Sequence, residues 1–302
     1  MSASPYAARP WEQHYDYWVR PHMTYPERPL GDVLSITAVQ RPEKVATHFL
    51  GAELTFLDLK RRSDAMAAAL AEMGIGKGDR VAIMLPNCPQ YIIAAFGILR
   101  LGAVIVNVNP SYTEREFLVI AGDSTPRVLI TLDALAPMVQ NVRAQTTIEE
   151  IIVTSLAEYS AAAAAPASIA TTRNLADLAA DTRRATLRLP TLAADDLAVL
   201  QYTGGTTGTP KGAMLTHGNI FANVVQTIAW TNPMYLYSGE ERYLVVIPYF
   251  HIYAFSVCMM VGLRIGALQI IHPKYEPEQV LTSIRDLKPT YFPGVPTIFV
   301  SL

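Results

Sequence analysis

Leu200-Gln201-Tyr202-Thr203-Gly204-Gly205-Thr206-Thr207-Gly208-Thr209-Pro210-Lys211-Gly212-Ala213-Met214-Leu215-Thr216-His217-Gly218-Asn219-Ile220 is the stretch on which the reading of this chain turns. From Thr203 to Gly212 every residue is Gly, Thr, Pro or Lys, so the segment is poor in side chains. The apolar run Leu197-Ala198-Val199-Leu200 before it predicts a buried strand. After it, Thr216 can cap a helix carrying Ile220, Phe221, Val224, Val225 and Ile228 on one face. A side-chain-poor loop between a strand and a helix lets backbone N–H groups converge on one place. Glycine permits close approach and positive φ, threonine adds hydroxyl donors, and Lys211 adds a mobile positive charge. Tyr202, Thr203, Gly204, Gly205, Thr206, Thr207, Gly208, Thr209, Lys211 and Gly212 are therefore the candidate grip for a triphosphate. A solvated loop without a ligand is the bland alternative, but a loop of that kind is rarely framed by so clear a strand and helix.

The motif is not a Walker A loop, which requires a lysine directly after a glycine and a hydroxyl residue directly after the lysine. Here Pro210 precedes Lys211 and Gly212 follows it.

Read as a whole, Tyr202 to His217 resembles the AMP-binding signature of the acyl-adenylate-forming superfamily, which comprises acyl-CoA synthetases, luciferases and the adenylation domains of peptide synthetases. Further blocks follow the family order. Leu54-Thr55-Phe56-Leu57-Asp58-Leu59 is similar to its early "LTYxEL" block, and Leu101-Gly102-Ala103 through Asn107-Val108-Asn109-Pro110 and Tyr112 to its "LGAVxVxxNPxY" block. Pro248-Tyr249-Phe250-His251 is similar to "PxFH", and Phe292-Pro293-Gly294-Val295-Pro296 to the segment entering the acyl pocket. The Asn-Pro-x-Tyr and Gly-Val-Pro variants most resemble bacterial long-chain-fatty-acid–CoA ligases. The likeness runs from about residue 30 to the last residue.

Composition bounds the class. The chain has 302 residues, 51% hydrophobic and 17% charged, below the usual quarter for soluble domains, which predicts deeply buried sheets or surface that another segment covers. A net charge of −2 offers no basic field for nucleic acid. Cys88 and Cys258 each sit in an apolar segment and read as reduced core thiols in a reducing compartment. The first 30 residues carry Glu12, Asp16, Arg20, Glu27 and Arg28 and lack the apolar region of a targeting segment. The longest apolar stretch, Tyr243 to Ile271, is divided by Pro248, His251 and Arg264, and no piece reaches the ~20 residues of a membrane span. The expectation is a cytoplasmic protein.

Taken in order, residues 1–30 form an aromatic, proline-rich arm (Tyr6, Trp11, Tyr15, Tyr17, Trp18, Tyr25). Packing on the body is favoured for it over peripheral contact with the inner membrane face or a second copy in a homodimer, because only Arg9, Arg20 and Arg28 offer charge to anionic lipid. Strands and helices then alternate to residue 156. Expected strands are 45–49, 79–85, 103–108, 127–131 and 151–153. Expected helices are 33–39, one opening at Thr55, 89–101, 113–121 and one around Val139. Met73 to Asp79 follows a helix and precedes a strand, the reverse of a dinucleotide fingerprint, and reads as a turn. Residues 157–194 read as an alanine-rich connector with a short helix near Leu175–Ala180. Residues 195–302 then form a second α/β lobe with strands 243–247, 267–271 and 290–292 and helices 254–263 and 277–287. The class is α/β with a largely parallel sheet, a first lobe at 31–156 and a second at 195–302. The resemblance makes these the two stacked lobes of an acyl-CoA synthetase-like large N-terminal domain. The apolar helix begun at Pro296 stops at Leu302 without a cap, so the expectation is a C-terminally truncated fragment, with the family's C-terminal domain absent and the chain inactive alone.

The resemblance implies ATP-dependent activation of a long-chain fatty acid to acyl-AMP, then transfer to coenzyme A, with AMP and pyrophosphate as products. It makes Lys211 and His251 the catalytic candidates, places the Thr206 hydroxyl on Mg²⁺, and puts His251, Phe250, Tyr253, Tyr291, Gly294, Val295 and Pro296 along the acyl pocket. From its position among apolar residues alone, His251 would read as a satisfied core histidine. Other adenylate formers (aryl or short-chain acid–CoA ligases) and a non-catalytic nucleotide-binding fragment are the competing readings. The chain carries no G-x-S-x-G elbow and no His/Cys metal spacing, which removes support for hydrolase and zinc chemistry.

Overall fold

The structure is a computed structural model that describes residues 5–164, 169–180, 189–203, 210–231 and 240–302. Near the start, β1 (Val45–Phe49) and β2 (Ala52–Thr55) pair as an antiparallel hairpin. Its two turn residues, Leu50 and Gly51, both have positive φ (46° and 81°), the geometry that matches a tight turn to the twist of its strands. Then β3 (Arg80–Met84), β4 (Val104–Asn107), β5 (Val128–Leu132), β6 (Glu150–Thr154), β7 (Arg173–Asn174), β8 (Leu197–Thr203) and β9 (Lys211–Thr216) build a seven-stranded sheet in the order β7-β6-β5-β3-β4-β8-β9. Finally β10 (Arg242–Val245) and β11 (Leu268–Ile271) return to the hairpin and complete a four-stranded sheet, β10-β11-β1-β2. The β8–β9 and β1–β2 pairs are antiparallel and the rest parallel.

The helices are α1 (Asp32–Gln40), α2 (Phe56–Glu72), α3 (Pro89–Arg100), α4 (Glu114–Ser124), α5 (Ala136–Val142), α6 (Leu175–Ala180) and α7 (His217–Trp230). They continue with α8 (Ala254–Val261, wound as a π-helix and carried on by Gly262–Arg264), α9 (Pro277–Leu287) and α10 (Pro296–Val300). Three of them open on the same local signal. Thr55 with Asp58, Thr113 with Glu116 and Thr216 with Asn219 each exchange side-chain and backbone hydrogen bonds across the first turn, satisfying two otherwise orphaned N–H groups.

Period-two alternation sorts the core. Val81, Ile83, Ile105 and Ile130 face one cluster, shared with Ala46, Phe49, Val245 and Ile270 of the smaller sheet. Ala82, Met84, Val106 and Leu129 face the opposite cluster, with Phe117 and Ile120 of α4 and Val139 of α5. From Pro89 to Leu99 every residue of α3 is buried. A helix this largely apolar must lie inside, and α3 belongs to the core cluster that both sheets share. Each large side chain buried there contributes about 1.5–3 kcal/mol.

Several expectations need correcting. The two lobes read from chain order are not the two sheets. Strands β8 and β9, assigned to residues 195–302, extend the sheet of the first segment, and β1 and β2, assigned to 31–156, pair with β11. Hydrophobic period identifies a strand but carries no information about its partner. The glycine-threonine loop does not run from strand to helix. Lys211 to Thr216 forms β9, in register Thr203↔Lys211 and Tyr202↔Gly212, so the loop closes a hairpin and α7 starts only after Thr216. Within 157–194, read as lacking β pattern, Arg173 and Asn174 pair with β6, while the short helix is present as α6. The strand read at 290–292 is reduced to one bridge, Tyr243↔Tyr291. Among the described residues no helix is long and apolar enough to cross a membrane.

Candidate active site

Strands β3, β4, β5 and β8 are parallel, so their carboxyl ends share one edge of the sheet. Open α/β sheets bind ligands at that edge. Two of these strands carry a buried polar residue after an apolar run, Asn107 at the end of β4 and Gln201 near the end of β8, paired in register. Asn107 Nδ2 donates to Gln201 Oε1 at 2.9 Å, and Gln201 Nε2 donates to the carbonyl of Phe250 at 3.1 Å. On the other side of Asn107, the Tyr91 hydroxyl of α3 donates to its Oδ1 at 2.5 Å and lies 3.1 Å from the Tyr249 carbonyl. Asn87 grips the same loop twice, accepting from Tyr249 N–H at 2.7 Å and donating to the Ile247 carbonyl at 3.0 Å. The segment Ile247–His251 is thus fixed to the ends of β4 and β8 by buried amides. Burial pushes the Tyr91 and Tyr249 phenols well up, so both stay neutral and can donate.

Around this network lies a pocket of about 350 Å³ lined by Asn107, Asn109, Tyr112, Gln201, Tyr202, Thr203, Phe250, His251 and Ile252. His251 is exposed at its wall rather than held in the core. Its N–H donates to the Pro248 carbonyl at 2.9 Å and its carbonyl accepts from Phe255 N–H at 3.0 Å, a turn that leads into α8. The Tyr202 hydroxyl donates to the Asp123 carboxylate of α4, and burial together with that carboxylate pushes its phenol up. Gly212 lies opposite the Tyr202 ring: a Cβ there would stand 3.0 Å from it, a tight contact that glycine avoids.

A second, apolar cavity of about 630 Å³ adjoins the first and shares Phe250 and Asn109 with it. Pro110, Leu132, Leu135, Ile247, Pro248, Tyr275, Val295 and Ile298 are among its walls.

The structure brings Tyr202, Thr203, Phe250 and His251 to the first pocket and Val295 with Phe250 to the second. Tyr253, Tyr291, Gly294 and Pro296 line neither. Tyr253 follows the turn with its side chain 39% exposed, and Tyr291 packs on Tyr243 at the sheet edge, ring centroids 4.7 Å apart. At Gly294 a Cβ would stand 2.5 Å from the Phe299 ring, and Pro296 starts α10. Lys211 is an exposed residue of β9, opposite Thr203. Gly204, Gly205, Thr206, Thr207, Gly208 and Thr209, including the Thr206 read as a magnesium ligand, lie outside the described residues. Among the described residues no group of three or more His, Cys, Asp or Glu side chains is placed to hold a metal. Sequence reasoning gave no role to Asn87, Tyr91, Asn107 or Gln201. The available signal was a polar residue ending an apolar strand, Asn107 after Val104-Ile105-Val106 and Gln201 after Leu197 to Leu200.

Fold and site together define an α/β protein with a pocket of about 350 Å³ at the carboxyl edge of its larger sheet. Residues 34–302 match the family described as AMP-binding enzyme, and the chain belongs to that family of adenylate-forming enzymes. It is 36% identical over 313 residues to the long-chain-fatty-acid–CoA ligase of Bacillus subtilis (strain 168), an alignment covering 97% of this chain and 55% of that one. Among solved structures it resembles a long-chain-fatty-acid–CoA ligase from Archaeoglobus fulgidus, with a TM-score of 0.81 and 24% identity over 95% of this chain and 55% of that one. It also resembles ATP-bound MatB from Rhodopseudomonas palustris, with a TM-score of 0.77 and 23% identity over 92% and 51%. At such identities the two structures speak for the fold. The chain spans about half the length of the relatives it matches.

Proposed function

We propose that this chain carries the nucleotide- and acyl-binding part of a long-chain-fatty-acid–CoA ligase. In the first step a carboxylate oxygen attacks the α-phosphorus of ATP, the bond to the bridging oxygen of pyrophosphate breaks, and acyl-AMP remains. In the second the thiol sulfur of coenzyme A attacks the acyl carbonyl, the thiol proton is lost, and AMP leaves with the electron pair of the anhydride bond.

An anionic nucleophile approaching a polyanion needs fixed donors and positive charge around the reacting phosphate. Thr203, Lys211 and the amides and hydroxyls of residues 204–209 are proposed to supply them, with Thr206 holding Mg²⁺ against the phosphates. His251 is proposed to donate to the carboxylate and then to the acyl phosphate. The Gln201–Phe250 and Asn87–Tyr249 hydrogen bonds hold its loop still, so the donor does not have to reorganise as charge moves. Phe250 divides the polar pocket from the apolar cavity, and the acyl chain is proposed to leave past it toward Val295, each buried methylene contributing about 0.8 kcal/mol.

The observation that supports this reading is that one loop, Ile247–His251, lines both a polar pocket beside Thr203 and an apolar cavity beside Val295. The test is palmitate-dependent exchange of pyrophosphate into ATP, measured on this chain joined to the remaining half of the Bacillus subtilis relative. Exchange that needs palmitate and falls at least roughly a hundredfold in His251→Ala supports the reading. Exchange with benzoate or acetate but not palmitate, or an unaltered rate in His251→Ala, would overturn it.

A further inference from the structure

Residues 15–30 cross α7 as a strap. The Tyr15 ring meets the Trp230 ring edge-on at 5.1 Å, and Trp18 Nε1 donates to the Trp230 carbonyl at 3.3 Å. Further along, Gln226 Nε2 donates to the Tyr25 hydroxyl at 2.8 Å, and Leu30 N–H donates to His217 Nδ1 at 3.0 Å. The strap therefore runs antiparallel to the helix, fastened at its last residue, its middle and its first. Beneath it lies a groove of about 510 Å³ between the strap, α1, α7 and the end of α8, within the roughly 300–1,000 Å³ of small-molecule sites.

The walls are apolar: Met23 and Pro26 from the strap, Ile36 from α1, and Phe221, Val225 and Ile228 from α7. Among the described residues the charged ones lining it are two arginines, Arg28 and Arg264, and no acidic residue lines it. Neither guanidinium has an ion pair or hydrogen bond among the described residues. None of these residues lines the pocket of Thr203 and His251 or the cavity beside it.

An apolar trough edged by two guanidiniums that no described residue pairs suits an amphiphile with one anionic head. The strap forms one wall of it, and a guanidinium binds a carboxylate through two parallel N–H donors. We propose that this groove binds a free long-chain fatty acid, its chain along Phe221, Val225 and Ile228 and its carboxylate at Arg28 and Arg264. The proposal is separate from the ligase reading, since it needs only the groove and its two cations.

The test is photolabelling of the chain with a diazirine-bearing palmitate, with the labelled peptides mapped by mass spectrometry. The expected result is label in Met23–Arg28 and Phe221–Ala229, suppressed by excess palmitate but not by excess hexadecanol, which has the chain without the charge. A paired Arg28→Gln, Arg264→Gln variant should lose label roughly tenfold, and the paired lysine variant, which keeps the charge but not the two parallel donors, should lose less. Equal suppression by hexadecanol, or undiminished label in the glutamine pair, would overturn the proposal. Label confined to peptides around His251 would overturn it while leaving the ligase reading intact. If the glutamine pair does not fold, the comparison of palmitate with hexadecanol on the unmodified chain decides.

Discussion

Gln201 accepts from Asn107 Nδ2 on its amide oxygen and donates its amide N–H to the Phe250 carbonyl, so one side chain joins the end of β4 to the loop that carries His251. Gln201→Leu leaves the buried Asn107 Nδ2 donor and the part-buried Phe250 carbonyl without partners, the buried donor costing about 1–3 kcal/mol. The expected outcome in the joined ligase is a fall in exchange rate of roughly a hundredfold with little change in the KM for ATP, because the loop loses its position rather than the nucleotide its contacts. An equal rise in KM with an unchanged rate would show that Gln201 serves binding instead.

His217 is buried at the start of α7 and accepts the Leu30 N–H on Nδ1. Burial holds its pKa down from 6.5 to about 4, with Asp196 opposing and Lys77 reinforcing the shift. The folded state therefore keeps the neutral ring over a range where the unfolded chain takes up a proton. Stability from this group is present above pH 6.5 and is lost as pH falls from 6.5 to about 4, by up to about 3 kcal/mol. Urea midpoints measured from pH 7.5 to 4 should fall in that window, and His217→Asn should flatten the fall. An equal fall in the variant would assign it to other groups. Cys88 and Cys258 are both buried free thiols pushed up to about 12, so neither should react with a thiol reagent until the chain unfolds.

At the scale of elements, α7 is held at its start by Thr216 Oγ1, which accepts Asn219 N–H at 3.1 Å. Thr216→Ala should cost about 1 kcal/mol, read as a lowered denaturant midpoint with an unchanged slope. This cap was legible in the sequence, as were the other Thr-x-x-Asp/Glu starts and the proline that opens α3, because caps and first-turn signals are written within a few adjacent residues. Strand β9 was not legible. Lys211-Gly212-Ala213-Met214-Leu215-Thr216 lies at a sheet edge with Met214 69% exposed, so no buried alternation marks it, and its partner is set by pairing rather than by its own residues. The strap's anchors on Gln226 and Trp230 were invisible for the same reason, being contacts across more than 200 residues.

At the scale of the molecule, the chain crosses between its sheets twice. Strand β1 lies between β2 and β11, and β4 between β3 and β8, so neither sheet is complete in one half of the sequence. Residues 1–156 expressed alone lack the partner that β1 needs from β11 and the one that β4 needs from β8. They should give no cooperative unfolding transition, whereas the two halves expressed together should recover one. A dispersed amide spectrum from residues 1–156 alone would contradict this topology. The α/β class and the strand positions could be read from hydrophobic period. The division into sheets could not, since period says which face is buried and nothing about the neighbour. The candidate site divides in the same way: the signature residues announced themselves by composition, while Asn87, Tyr91, Asn107 and Gln201, whose hydrogen bonds fix Ile247–His251, came from three separate stretches of chain.

The central claim is that the carboxyl ends of β4 and β8 and the loop before α8 form the adenylate pocket. The most direct measurement is a crystal structure of the chain with a non-hydrolysable palmitoyl-adenylate analogue. The predicted result is the adenylate phosphate beside Thr203 and His251, with the acyl chain passing Phe250 toward Val295. Density for the analogue elsewhere, with that pocket unoccupied, would contradict the account.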